Sequence, residues 1–95
     1  MKEKAKNSKY SKMRKALSEL IDSSGDKNQE RIALDKFIKE SNKYMDEFND
    51  NGMSKVLQLD FNHRLSTAHA KGNKEILAGT AMGYHMILQQ TKVWE

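Results

Sequence analysis

The stretch KNQERIALDKFIKESNKYMDEFN, residues 27–49, decides the fold. Leu34, Phe37, Ile38, Ser41, Met45 and Phe48 recur in it at intervals of three and four, with Tyr44 at their edge. That spacing is the period of a helix with one apolar face, whereas a half-buried strand would alternate every second residue. Asp35, Lys36, Lys39, Lys43 and Asp46 fall on the other side and read as a solvated face. Ile32 points away from the stripe, either as a contact near the helix start or as part of a second surface. Asp26 followed by Gln29 has the spacing of a capping box, which would satisfy free N–H groups at the helix start.

Outward from this helix the same period continues in both directions. Upstream, Tyr10, Met13, Leu17, Leu20 and Ile21 share one face of a helix expected from about Ser8 to Ser23. Ser23-Ser24-Gly25 ends it, glycine relieving the left-handed backbone common at helix C-termini. Downstream, Asn49-Asp50-Asn51-Gly52 is the strongest turn signal in the chain. A third helix is expected from about Ser54 to Ala70, with Leu57, Phe61, Leu65 and Ala68 as its stripe and Val56 beside it. Lys71-Gly72-Asn73 breaks it, and Asn73 can cap a fourth helix that carries Glu75 near its positive end. The fourth runs to about Lys92, with Trp94 almost at the chain end. The sequence contains no proline, which permits long helices and argues against a sandwich or barrel with many tight turns. The expectation is an all-α protein, a small antiparallel bundle of about four helices joined by short loops.

Ninety-five residues suffice for one domain with a thin core. There is no cysteine, so neither a disulfide nor a zinc–thiolate site supports it. That composition, with no signal-peptide pattern at the start, favours the cytoplasm. No apolar run approaches the roughly 20 residues needed to span a bilayer, so no membrane partner is expected.

Charge is uneven along the chain. Residues 1–15 hold Lys2, Lys4, Lys6, Lys9, Lys12, Arg14 and Lys15 against Glu3, whereas the remaining 80 residues hold ten basic and twelve acidic side chains. Residues 1–7 therefore read as a flexible basic arm, ahead of a single helical domain over 8–95. In a helix Lys12, Arg14 and Lys15 fall mainly outside the apolar stripe. The arm and first helix, through Lys9, Lys12, Arg14 and Lys15, can contact phosphates or an acidic partner. Arg64 is a further candidate, because its planar fork suits phosphate and carboxylate; Asp60 stands four residues before it as a helical ion-pair partner.

The fourth helix is apolar on two sides. Ile76, Leu77, Ala81, Tyr84, Ile87 and Leu88 form a broad face, and Ala78, Met82, Met86 and Val93 cluster nearly opposite. Such a helix is either central in its own monomer or buried by a second molecule. Gly79 and Gly83 make a smooth ridge for close backbone approach, and two interior glycines at about 1 kcal/mol each point to a compensating contact. Gly79, Met82, Gly83, Met86, Val93 and Trp94 are the expected protein interface, with a homodimer favoured as the commonest oligomer.

Chemical signatures are weak. His63 and His69 lie six apart on different helix faces, and His85 belongs to another helix, so none has metal-binding spacing. Glu47 to Gly52 resembles the start of a calcium loop, but the twelfth position is Gln58 where a glutamate is needed. No phosphate loop, nucleophile elbow or paired carboxylates occur, and neither an enzyme nor a cofactor or metal site is expected. The function expected is non-catalytic protein–protein interaction by a self-associating regulatory or accessory protein, of the lysine-rich kind common in phages and plasmids. The alternative is a DNA- or RNA-binding accessory protein.

Overall fold

The computed structural model describes residues 8–91. A single turn of 3-10 helix, Ser8–Tyr10, leads into α1 (Ser11–Asp22), followed by α2 (Lys27–Lys43), α3 (Met45–Asp50), α4 (Lys55–Lys71) and α5 (Lys74–Gln89). There is no strand among the described residues, and the fold is all-α as expected. Residues 1–7, Lys92, Val93 and Trp94 lie outside the described residues.

Each boundary has a local cause. Asp26 Oδ1 accepts the Gln29 N–H at 3.2 Å, so half of the expected capping box is formed. The Asp26 N–H bonds Ser23 O at 2.9 Å instead of a side chain, and Glu30, next to Gln29, accepts the Gly25 N–H. Ser54 Oγ caps α4 through the Leu57 N–H at 3.1 Å, and Asn73 Oδ1 caps α5 through the Ile76 N–H at 3.1 Å. Gly72 closes α4 at φ +71°, the left-handed conformation that only glycine adopts without strain.

Two helices differ from the periodic reading. The helix expected over 27–49 is divided at Tyr44, which leaves helical geometry at φ −110°, ψ 14°. The bend brings Phe48 beneath Tyr10, ring centroids 5.5 Å apart, while the Tyr44 hydroxyl donates to the Lys9 carbonyl at 2.9 Å. A straight helix would carry Phe48 past that contact. In α4 the buried face is Gln58, Asn62, Leu65 and Ala68, with Phe61 partly buried, while Val56 and Leu57 are exposed. Gln58 is drawn inward by two carbonyls, one of them in the loop before α4: its Nε2 donates to Met45 O at 3.0 Å and Met53 O at 2.9 Å. Satisfying buried carbonyls outweighs the partial burial of one leucine.

The helices pack as a ring. α1 lies against α2 and α5, α4 lies against α5 and α2, and α3 rests on α4. Tyr84 of α5 sits at the centre, stacked on Phe61 at 4.5 Å and edge-on to Phe37 at 5.3 Å. Its complete burial pushes its hydroxyl up to about 12, an effect Ser41 opposes. The smallest extent of the molecule, 19 Å, accommodates two helix layers and no third. Every long helix therefore keeps an outer side. Among the described residues no helix is long and apolar enough to cross a membrane.

Candidate interaction surfaces

α5 is the least polar element and still has an outer face. Residues 76–91 contain no Asp, Glu, Lys or Arg, in a chain that is 32% charged. Leu77, Ala81, Tyr84 and Leu88, four, three and four apart, are buried against the core. The opposite side is uncovered, with Met82 55% and Met86 63% exposed, and Ile76, expected on the buried face, is 56% exposed at its edge. Among the described residues, the two-layer packing thus leaves Met82 and Met86 of the second apolar cluster uncovered.

Gly79 and Gly83 lie on that uncovered side. Among the described residues a Cβ built on either would meet nothing within 4 Å, so packing between them does not require glycine at these positions. They border a groove of about 390 Å³ between α4 and α5, which Leu57, Phe61 and Thr80 also line. Arg64 stands at its rim, with Nε donating to Asp60 Oδ2 at 2.9 Å on the exposed surface of α4. Snorkelling to water resolves the position that the sequence places close to the core stripe.

The basic residues expected to act together are dispersed. Lys9 is held by Glu47 at 2.6 Å, and Tyr10 donates its hydroxyl to the same carboxylate. The bonds from Lys9 and Tyr10 hold Glu47 below the usual carboxylate range; burial and Glu47 together push the Tyr10 hydroxyl up. Lys12 and Lys15 border a cleft between α1 and α2. Arg14 is half-buried on the other edge of α1, near His85 of α5; burial first, and Arg14 second, hold His85 below its ordinary value. Arg64 belongs to α4 and to neither group.

The three histidines occupy separate places. His69 Nδ1 lies 2.8 Å from Glu30 Oε1, joining the end of α4 to the start of α2. Burial pushes the Glu30 carboxyl up, but the Gly25 N–H and His69 together outweigh it and leave it below the usual range. This cluster ties the α1–α2 turn to α4. Sequence spacing gave no sign of it, because its partners are 39 residues apart. His63 is exposed on α4. No group of three His, Cys, Asp or Glu gathers around a metal-sized space among the described residues. Glu47, the would-be first calcium ligand, is engaged by Lys9 and Tyr10, while its carbonyl accepts the Asn51 side chain at 2.8 Å.

No protein-family model matches the chain, and neither a curated protein nor a solved structure matches it significantly.

Proposed function

We propose that the protein is a non-catalytic accessory protein of the cytoplasm that acts by binding protein, and that it self-associates through the outer face of α5. The observation that carries this reading is an uncharged sixteen-residue segment whose outer side, Ile76, Met82 and Met86, faces water in the monomer. Depletion of charge with enrichment of methionine is the compositional mark of an interface centre. The glycines add a second argument. Each weakens the helix by about 1 kcal/mol relative to alanine, and no contact among the described residues accounts for either.

A second copy is the occupant that suits this surface. The same face carries a depression, at Gly79 and Gly83, and the protrusions flanking it. Two such faces related by a two-fold axis place the protrusions of each copy against the depression of the other, the self-complementarity an isologous dimer needs. Light scattering of wild type and Gly83→Leu over a range of concentrations tests it. Wild type should rise toward twice the 11.0 kDa chain mass, and the variant, its depression filled, should stay near the monomer. A wild type that remains monomeric throughout removes the proposal.

A further inference from the structure

We propose that the cleft between α1 and α2 seats the phosphodiester backbone of a nucleic acid, held by Lys12 and Lys15 from one wall and Lys36 and Lys39 from the other. The cleft has a volume of about 390 Å³ and Ala16 at its base. Each wall contributes two lysines at (i, i+3), roughly 5–6 Å apart at Cβ, so neighbouring ammonium groups follow one helix edge. All four side chains are exposed.

Their charge is not cancelled locally. Lys9, Lys55 and Arg64, by contrast, are matched with Glu47, Asp46 and Asp60. Among the described residues Lys12, Lys15, Lys36 and Lys39 form no ion pair. Glu40, one of the two carboxylates lining the cleft, is already paired with Lys43 at 3.4 Å, which leaves Glu19 against four lysines. The basic stretch of the chain also joins the molecule at this end. Tyr44, just past α2, bonds the Lys9 carbonyl one turn before Lys12, and residues 1–7 ahead of it carry Lys2, Lys4 and Lys6 against Glu3.

The choice of nucleic acid over an acidic protein rests on which side chains line the cleft. Protein interfaces are poor in lysine and rich in aromatic residues, methionine and arginine. Here the cationic residues are all lysine, and Ala16 is the single apolar one. Compact ammonium charges on flexible stems suit a repeating phosphate chain contacted without sequence preference. None of these residues belongs to the α5 face, so the inference stands apart from self-association.

Fluorescence anisotropy with a 20-base-pair duplex and a 20-nucleotide single strand, between 50 and 200 mM salt, tests it on the full chain. Lys12→Gln/Lys15→Gln and Lys36→Gln/Lys39→Gln remove one wall each. Lys71→Gln/Lys74→Gln, at the α4–α5 turn, removes equal charge elsewhere. Four phosphate contacts give a slope of log affinity on log salt of about −3.6, or on the order of 100-fold weakening over that range for duplex. Each cleft variant should flatten the slope by about 2 and weaken binding at 50 mM by at least 10-fold, with the control binding as wild type. Failure to bind either nucleic acid at 50 mM overturns the proposal, as does an equal loss in the control. Wild-type binding by Lys36→Gln/Lys39→Gln would assign the contact to α1 and the arm and contradict the cleft. Competition by poly-glutamate as effective as by nucleic acid at equal charge would identify an acidic protein instead.

Discussion

Gly79 and Gly83 weaken α5 where no contact among the described residues requires them. Alanine at these positions should therefore stabilise the dilute protein by about 1 kcal/mol per site, raising the thermal midpoint by roughly 4–8 °C for each kcal/mol in a domain this small. The same substitutions should weaken self-association, read from the concentration dependence of that midpoint. Opposite signs for stability and association are expected of a glycine retained for an external contact; loss of stability at high dilution would contradict it. Glu30 makes a different prediction. Its folded-state pKa is lowered, so its contribution is present above the unfolded carboxylate value of about 4.3 and is lost as pH falls through the lower folded value. Glu30→Gln should lower stability at neutral pH by about 1–3 kcal/mol. It should also flatten the acid limb of a denaturant-midpoint curve measured from pH 6 to pH 3. An unchanged acid limb would show that Glu30 does not carry this dependence.

The elements differ in how far their sequences disclose them. In α1 the apolar positions are few and regular, and Met13, Leu17 and Leu20 are buried as their spacing predicts. The caps Asp26 and Asn73 act by local chemistry, which a sequence displays directly. α4 is harder to read because its apolar residues surround the helix, so no single stripe dominates and burial is decided by tertiary hydrogen bonds. Gln58 illustrates this: its partners, Met45 O and Met53 O, exist as partners only after the chain bends at Tyr44. The bend in turn depends on Tyr10 and Lys9, distant in sequence. Leu57→Ala should accordingly cost about 1 kcal/mol at high dilution, since Leu57 is only partly buried, at 36% exposure. Gln58→Leu, though more apolar and similar in volume, should cost about 1–3 kcal/mol by stranding the buried Met53 carbonyl. Chemical denaturation of the two variants checks the order; a larger loss for Leu57→Ala would place the buried face where the apolar spacing puts it.

At the scale of the molecule, two helix layers leave each long helix an outer side, and those sides are chemically unlike. The α1–α2 side carries lysines around a cleft, while α5 from Ile76 onward carries methionine, isoleucine and glycine with no Asp, Glu, Lys or Arg. The two-sided apolar pattern of α5 was legible in the sequence. Its meaning was not, because periodicity alone cannot distinguish a helix central in its own fold from one completed by another molecule. Nor could the spread of basic residues be read: Lys12 and Arg14 are neighbours in sequence but flank opposite edges of α1. Lys36 and Lys39, which read as a solvated face, join Lys12 and Lys15 only because the Ser23–Gly25 turn folds α2 back on α1. The central claim is that the outer face of α5 meets its own copy. Because the chain has no cysteine, one substitution places a spin label at one site. Double electron–electron resonance on Thr80→Cys, beside the glycine groove, compared with Asp35→Cys on the outer side of α2, is the most direct measurement. The account predicts inter-copy coupling at Thr80, at a shorter distance than at Asp35, that disappears on dilution with excess unlabelled protein. Absence of coupling at Thr80, or a shorter distance at Asp35, would contradict it.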